Sequence, residues 1–316
     1  MKRAVLVGLL ILPLSLFGQQ SSAADPTPSG TMATSETFPT ERVQKPTNTD
    51  LYCAGFVGKD IQTKGNFVAG GANSPFTTGF ANDEAIFLKG KGYEAGQEYT
   101  IVRELKDPNR YELFPGQWAA LKAAGQPYEE LARVKIVDTR SKMAIAHVEF
   151  SCDTVLPGDY AIPFVEKATV EFHPPMRFDR YAPANGQVSG RIILAKDFDS
   201  EMGNGGKVYL NIGANQGLKV GDYLRAVRSY ETTAHDSVDS LSFKSPALEP
   251  TQLKQPSTNP TFLSRTNGPE ILTSEMPLRA VGEIVIIGTT PGTATGMIVY
   301  SLEPVHLGDR VELDQQ

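Results

Sequence analysis

The stretch AVGEIVIIGTTPGTATGMIVYSLEPVHLGDRVEL, Ala280 to Leu313, decides the fold, because the chain carries it twice. Shifted by 150 positions without a gap, Ala132 to Ala161 reads ARVKIVDTRSKMAIAHVEFSCDTVLPGDYA. Val134 and Ile136 fall on Ile284 and Ile286, and Val148 and Phe150 fall on Ile298 and Tyr300. Ser151, Val155, Gly158 and Asp159 fall on Ser301, Val305, Gly308 and Asp309. Each copy reads as an apolar strand, a polar turn, a second strand and a Gly-Asp turn, the signature of β structure.

Working outward, Lys207 to Ile212 corresponds to Ala85 to Leu88, and Leu224 to Arg228 corresponds to Tyr99 to Arg103. At the start of the modules, Gly190 can be set on Gly55 and Val188 on Cys53. The turn GANQGLKVGD of the second copy is two residues shorter as GKGYEAGQ in the first, where Gln97 replaces Asp222. The expected fold is therefore mainly β: two tandem small β-barrel-like modules made by internal duplication, with one short helix inserted in the first. That helix follows Pro115, contains Trp118, Leu121 and Lys122, and stops at Gly125. The second module has at the same place a long polar insertion, 231–276, expected to be mobile or functional.

The N-terminus reads as an export signal. Lys2 and Arg3 precede the apolar run Ala4 to Phe17, and Ser22, Ala23 and Ala24 offer a cleavage site. The run is too short for a stable membrane anchor, so no membrane span is expected after cleavage. The expected organisation is a signal peptide over 1–24, a disordered Thr/Pro/Ser-rich tether over 25–50, a first module over 51–161, a linker over 162–186 and a second module over 187–316. Val165 to Phe172 of that linker could pair as a strand. Cys53 and Cys152, the only cysteines, are expected to form a disulfide in an exported protein. Their second-copy equivalents, Val188 and Leu302, would replace the covalent staple by an apolar contact.

The net charge of −6 becomes −8 once Lys2 and Arg3 leave, with 28 basic against 36 acidic side chains. No basic cluster offers a footprint for nucleic acid. His147, His173, His235 and His306 are too far apart in sequence to form a ligand pair, so no metal is expected, and no cofactor motif is present. No nucleophile elbow or Cys-His arrangement occurs. The Gly-rich pieces at 69–73 and 203–206 read as turns rather than phosphate cradles. Asp159, Asp222 and Asp309 each follow a glycine, where the carboxylate is expected to bond nearby backbone N–H groups. Trp118 has two readings: a plug for an open barrel end, or an exposed ring that makes it the candidate partner-binding residue.

VYLNIGANQGLKVGDYLRAVR followed by VGEIVIIGTTPGTATGMIVYSLEPVHLGDRVEL resembles the C-terminal domain of flagellar assembly protein T. It is also similar to regions that follow LysM domains in secreted bacterial proteins. The resemblance rests on Gly213, Gly217, Gly221 and Asp222, then on Gly282, Ile284, Ile286, Gly308, Asp309 and Val311. It covers about 187–313 and extends more weakly over 52–161. It implies a β module, not a chemistry, and no LysM unit precedes it here.

The expected function is an exported, non-enzymatic cell-envelope binding or assembly protein, periplasmic or secreted, with an envelope protein or cell-wall polymer as partner. The alternatives are a carbohydrate-active hydrolase using a carboxylate pair and a structural surface or stalk protein.

Overall fold

The computed structural model describes residues 45–59, 65–71, 78–170, 179–181, 183, 186–229 and 251–314. The expected signal peptide, most of the expected tether, and residues 231–250 of the long insertion lie outside these. Along the chain run α1 (Asn48–Tyr52), β1 (Phe56–Gly58), β2 (Phe67–Gly71), β3 (Ala85–Lys89), β4 (Glu98–Glu104), α2 (Gln117–Ala124), β5 (Gln126–Asp138), β6 (Ala144–Ser151) and β7 (Tyr160–Pro163). The second half contains β8 (Ser189–Ala195), β9 (Glu201–Met202), β10 (Lys207–Leu210), β11 (Tyr223–Arg228), β12 (Ser257–Thr258), β13 (Glu270–Ile271), β14 (Arg279–Thr289), β15 (Ala294–Ser301), β16 (Val305–His306) and β17 (Arg310–Leu313).

These strands close two barrels of identical topology. The first runs β5-β4-β7-β2-β3-β6 and closes where β6 pairs with β5. The second runs β14-β11-β17-β8-β10-β15 and closes between β15 and β14. Strand for strand they superpose in order, so the duplication extends over the whole barrel. Closure pairs every strand on both sides and leaves no open sheet edge.

The first barrel follows simple alternation. β3 and the first half of β6 bury every second residue, and Ile86, Leu88, Ala146 and Val148 meet Val68, Ile101, Val134 and Ile136 inside. The second barrel departs from it, because β11 is buried at every position and β14 and β15 at nearly every one. Ile284, Ile286 and Ile298 fill the interior, whereas Val285, Ile287, Met297 and Val299 form an outer wall covered by Leu51 and Ala54. A strand covered on both faces reads as a continuous apolar run, which is why VGEIVIIG does not alternate.

The cover is a strap, residues 47–58, that belongs to neither barrel. Residues 45–50, expected to end the disordered tether, are folded. Thr47 and Asp50 form a reciprocal capping box that starts α1, with Asp50 N–H donating to Thr47 Oγ1 at 3.3 Å and Thr47 N–H to Asp50 Oδ2 at 2.9 Å. Past α1 the backbone carbonyls face the second barrel. The Tyr209 hydroxyl donates to Ala54 O at 2.8 Å, Thr295 Oγ1 to Gly55 O at 3.1 Å and Thr293 Oγ1 to Val57 O at 2.5 Å. β1 then adds to β5 of the first barrel, pairing Phe56 with Tyr128. Gly55 sits between the two barrels: its φ is +71°, and a Cβ there would lie 2.6 Å from both Tyr128 O and the Tyr209 hydroxyl.

This strap corrects the register expected at the start of the modules. The counterpart of β8 is β2, not the segment around Gly55: Gly190 pairs with Val311, and at the matching place Asn66 O accepts from Ala161 N–H at 2.9 Å. Gly190 therefore corresponds to Asn66, and Cys53 has no counterpart among the described residues of the second barrel. Similar flanking glycines drew the two segments together, although only one of them enters a barrel. Gly70 and Gly71 lie within β2, at a bulge, and not in a turn after it. In the linker, residues 165–170 form no strand; Lys167 instead anchors the segment, its ammonium 2.7 Å from Glu130 and from Leu51 O.

Cys53 and Cys152 are bonded, with their Cα atoms 5.6 Å apart. The bond joins the strap to the end of β6. Leu302, the counterpart of Cys152, makes no equivalent contact with Val188: it is 41% exposed, whereas Val188 packs against the second barrel's core. Among the described residues, nothing replaces the staple in the second barrel. No helix among the described residues is long and apolar enough to cross a membrane. The disulfide is compatible with an extracytoplasmic location.

Candidate binding surface

Both insertions leave the barrels at the same point, between β4 and β5 in the first and between β11 and β14 in the second. The helix expected after Pro115 forms as α2, stopped at Gly125, whose φ is +128°. Its N-terminus is held from outside the helix. Glu112 accepts from Trp118 N–H at 3.0 Å and Gly116 N–H at 3.2 Å, supplying the donors that a helix start leaves unpaired. Gln117 is buried: its side-chain oxygen accepts from Leu113 N–H at 2.8 Å, and its amide donates to Ile193 O at 3.2 Å.

The plug expected from this helix exists, but it closes the other barrel and uses other residues. Phe114 is buried among the core of the second barrel, with Leu113, Ala120, Leu121 and Ala124 packed against it. The contact is close: a Cβ on Gly308 would lie 2.9 Å from Phe114 Cβ. Trp118 points away and is 51% exposed. The first module therefore places an exposed indole on a helix fixed over the second barrel.

The described part of the second insertion, 251–276, has an internal frame. β12 and β13 pair in parallel, and Asn259 bonds the buried Thr273 through both its amide donor (2.8 Å, to Oγ1) and its side-chain oxygen (2.9 Å, from N–H). At its apex Thr261, Phe262, Leu263 and Ser264 form a turn closed by Ser264 N–H to Thr261 O at 3.2 Å. Thr261 N–H donates to Ser264 Oγ at 2.9 Å, and Ser257 Oγ donates to Ser264 O at 2.8 Å. The turn presents Phe262 at 97% exposure and Leu263 at 93%, with Leu253 at 96%. The sequence reading passed over these residues because three large apolar side chains in a polar stretch have no periodicity.

The glycine-aspartate turns behave as expected, and in the barrels they do more. Gly158 and Gly308 take φ of +99° and +95°, and Asp159 and Asp309 accept from the N–H of Leu156 and His306 at 2.7 and 2.8 Å. Asp222 accepts from Lys219 N–H at 2.8 Å. In addition, Arg103 grips Asp159 with two bonds of 2.9 and 2.8 Å, and Arg228 grips Asp309 at 2.8 and 2.7 Å. Each arginine also reaches the carbonyl at the matching position, Thr154 O or Pro304 O. The signal was visible: both arginines end the repeated strand. Its meaning needed the barrel, which brings β4 beside β7 and β11 beside β17.

His147 lies on β6, paired across to Ala85 and Lys135, and His306 lies on β16; His173 and His235 fall outside the described residues. Among the described residues no group of three or more His, Cys, Asp or Glu could hold a metal ion. Burial raises the proton affinity of Glu129, Glu130 and Glu283. None of the three lines the shallow depression of about 380 Å³ beside β9 and the end of β15.

Glu283 is raised from 4.5 to about 7 by burial and by the Asp314 charge. Across the strands it faces Arg225 and Tyr300, but Arg225 is paired with Glu312 at 2.6 Å and with Pro183 O. An acid that binds its proton more tightly when folded disfavours the native state as pH rises from 4.5 through 7. The cost is on the order of 3 kcal/mol above that range. Glu283→Gln is therefore expected to stabilise the protein at pH 8 and to leave it little changed at pH 5. Urea unfolding at the two pH values reads this directly, and an equal effect at both would contradict the assignment.

No protein-family model matches the chain, and no curated protein matches its sequence.

Proposed function

We propose that this chain is an exported, non-enzymatic binding or assembly protein of the cell envelope, periplasmic or secreted. It docks an envelope protein or cell-wall polymer through what its two barrels carry at one shared insertion point. The observation that carries the reading is Trp118. A large aromatic ring stands half exposed on a helix whose other face is locked into a barrel core. Such a ring offers contact area with little ordering cost on binding, the property of interface hot spots. The repeated elements account for the barrels' cores and turns, so recognition falls to the segments that differ. The resemblance to the flagellar assembly protein T domain and to regions following LysM domains supports an envelope setting by analogy.

In-cell crosslinking followed by mass spectrometry tests the reading. The wild-type chain is expected to capture an envelope protein or peptidoglycan fragments. Trp118→Ala is expected to cut that yield about tenfold or more with unfolding little changed, since the indole is half exposed. Undiminished capture by Trp118→Ala would move recognition away from this helix. No capture by the wild-type chain, with no sedimentation on purified peptidoglycan, would remove the function.

A further inference from the structure

The insertion of the first barrel carries two large rings that the fold leaves unstacked. Trp118 stands on α2 at 51% exposure, and Tyr111 on the loop before it at 80%. Among the described residues neither packs against another aromatic ring. Loop and helix are tied together next to both rings. Glu112, the neighbour of Tyr111, accepts from Trp118 N–H at 3.0 Å and from Gly116 N–H at 3.2 Å.

Around the indole the helix surface is low. The exposed residues beside it on α2 are Ala119 and Ala123, with Lys122 one turn on, and a Cβ on Gly116 would meet nothing within 4 Å. This relief decides between a protein and a sugar as the occupant. A stable protein interface buries about 800 Å² on each partner, around a core of several large apolar groups. The exposed face of α2 offers one such group. A pyranose needs only a single ring. Its axial C–H groups carry slight positive charge and lie flat on the negative face of the π system, while its hydroxyls stay in water. Two separate rings give places for two sugars of one strand.

The charge that reaches outward here is basic. Arg110 and Lys122 are exposed and belong to no ion pair among the described residues. The acids of the same loop are only partly exposed and face backbone: Asp107 accepts from Asn109 N–H at 2.8 Å, and Glu112 holds the helix start. We propose that Tyr111 and Trp118 each stack a sugar of a cell-wall glycan strand, with Arg110 and Lys122 meeting carboxylates of its peptide branches. The inference rests on the envelope-binding reading and selects the polymer over the protein partner.

Trp118 is the only tryptophan of the chain, so its fluorescence reports on this ring alone. Two stacked rings make a weak site, and titrations of the full chain therefore run to about 10 mM sugar. Disaccharide-peptide fragments released from peptidoglycan by a muramidase are expected to shift the emission to shorter wavelength, saturably. The neutral tetramer of N-acetylglucosamine should do the same about threefold more weakly, because it carries no carboxylate. The free stem peptide should leave the emission unchanged. Tyr111→Ala keeps the fluorophore and is expected to weaken fragment binding about fivefold, with urea unfolding little changed. A tetramer that binds as well as the fragments overturns the assignment to the cell wall. A stem peptide that binds as well as they do, or emission unmoved by either sugar, overturns the stacking itself. In that last case the envelope-binding reading survives if crosslinks through the Trp118 helix still run to an envelope protein, and falls with the inference if capture also fails.

Discussion

Removing the Cys53–Cys152 bond is expected to cost about 4–5 kcal/mol of stability, the loop-closure value for a crosslink spanning 99 residues. Two consequences of its position make the effect more than local. The strap it secures supplies β1 to the first barrel, and Leu51 and Ala54 cover the outer wall of the second. Loosening the strap therefore weakens both barrels and uncovers Val285, Ile287, Met297 and Val299. Urea unfolding of the wild-type chain, with and without reductant, should show the loss. The Cys53→Ala/Cys152→Ala variant should match the reduced protein. Protease should then cut residues 45–58 before either barrel. A loss below about 1 kcal/mol would mean that the strap is held by its hydrogen bonds and apolar contacts alone, and that the crosslink is incidental.

The second large effect is expected at Asp309. Both members of the Arg228–Asp309 pair are buried, with side chains 8% and 6% exposed. Removing one partner of a buried pair strands the other charge and costs about 3–5 kcal/mol. Asp309→Ala should therefore destabilise the second barrel by that amount, because Arg228 would lose both of its short bonds to the carboxylate, while Glu303 lies 3.8 Å away. The matching Asp159→Ala should cost less, since Arg103 is 26% exposed and can be partly solvated. The internal duplication makes the comparison a controlled one: same turn, same bonds, different burial. The double variant Arg228→Met/Asp309→Leu should recover part of the loss, because an apolar pair leaves no charge stranded. Thermal and urea unfolding give all three values, and equal costs at Asp159 and Asp309 would show that burial does not set them.

Much of this was written in the chain. The repeat at a spacing of 150 contained the paired hairpins β5–β6 and β14–β15, and the Gly-Asp turns followed because only backbone geometry and a short carboxylate are needed there. The disulfide was legible from two cysteines that admit one pairing. The helix was legible from Pro115, Gly125 and the apolar residues between. All of these are local signals, or counts that admit one pairing.

What failed, or went unseen, depended on contacts between segments far apart in sequence. YCAGFVG reads as the opening strand of a module, and by propensity it is one. It became a strap because the second barrel's Val285, Ile287, Met297 and Val299 needed cover that their own module does not provide. The all-apolar run of β14 hinted at such cover without naming it. Leu302 was expected to replace a staple by an apolar contact with Val188, yet it is 41% exposed, and Val188 packs against the barrel core instead. Trp118 was placed on its helix by sequence, but the direction of its ring was set by Phe114 and Leu121, which won the contact with the neighbouring barrel.

By itself, then, the sequence determined two β barrels, their turns, one helix and one crosslink, because period-2 burial, glycine backbone freedom and cysteine pairing act over short range or leave no alternative. Only the tertiary structure decided how the barrels are joined, which ring faces solvent and which insertion apex is left bare. Those outcomes follow from competition among apolar surfaces for a limited area of cover, and that competition is resolved only when the whole chain is folded.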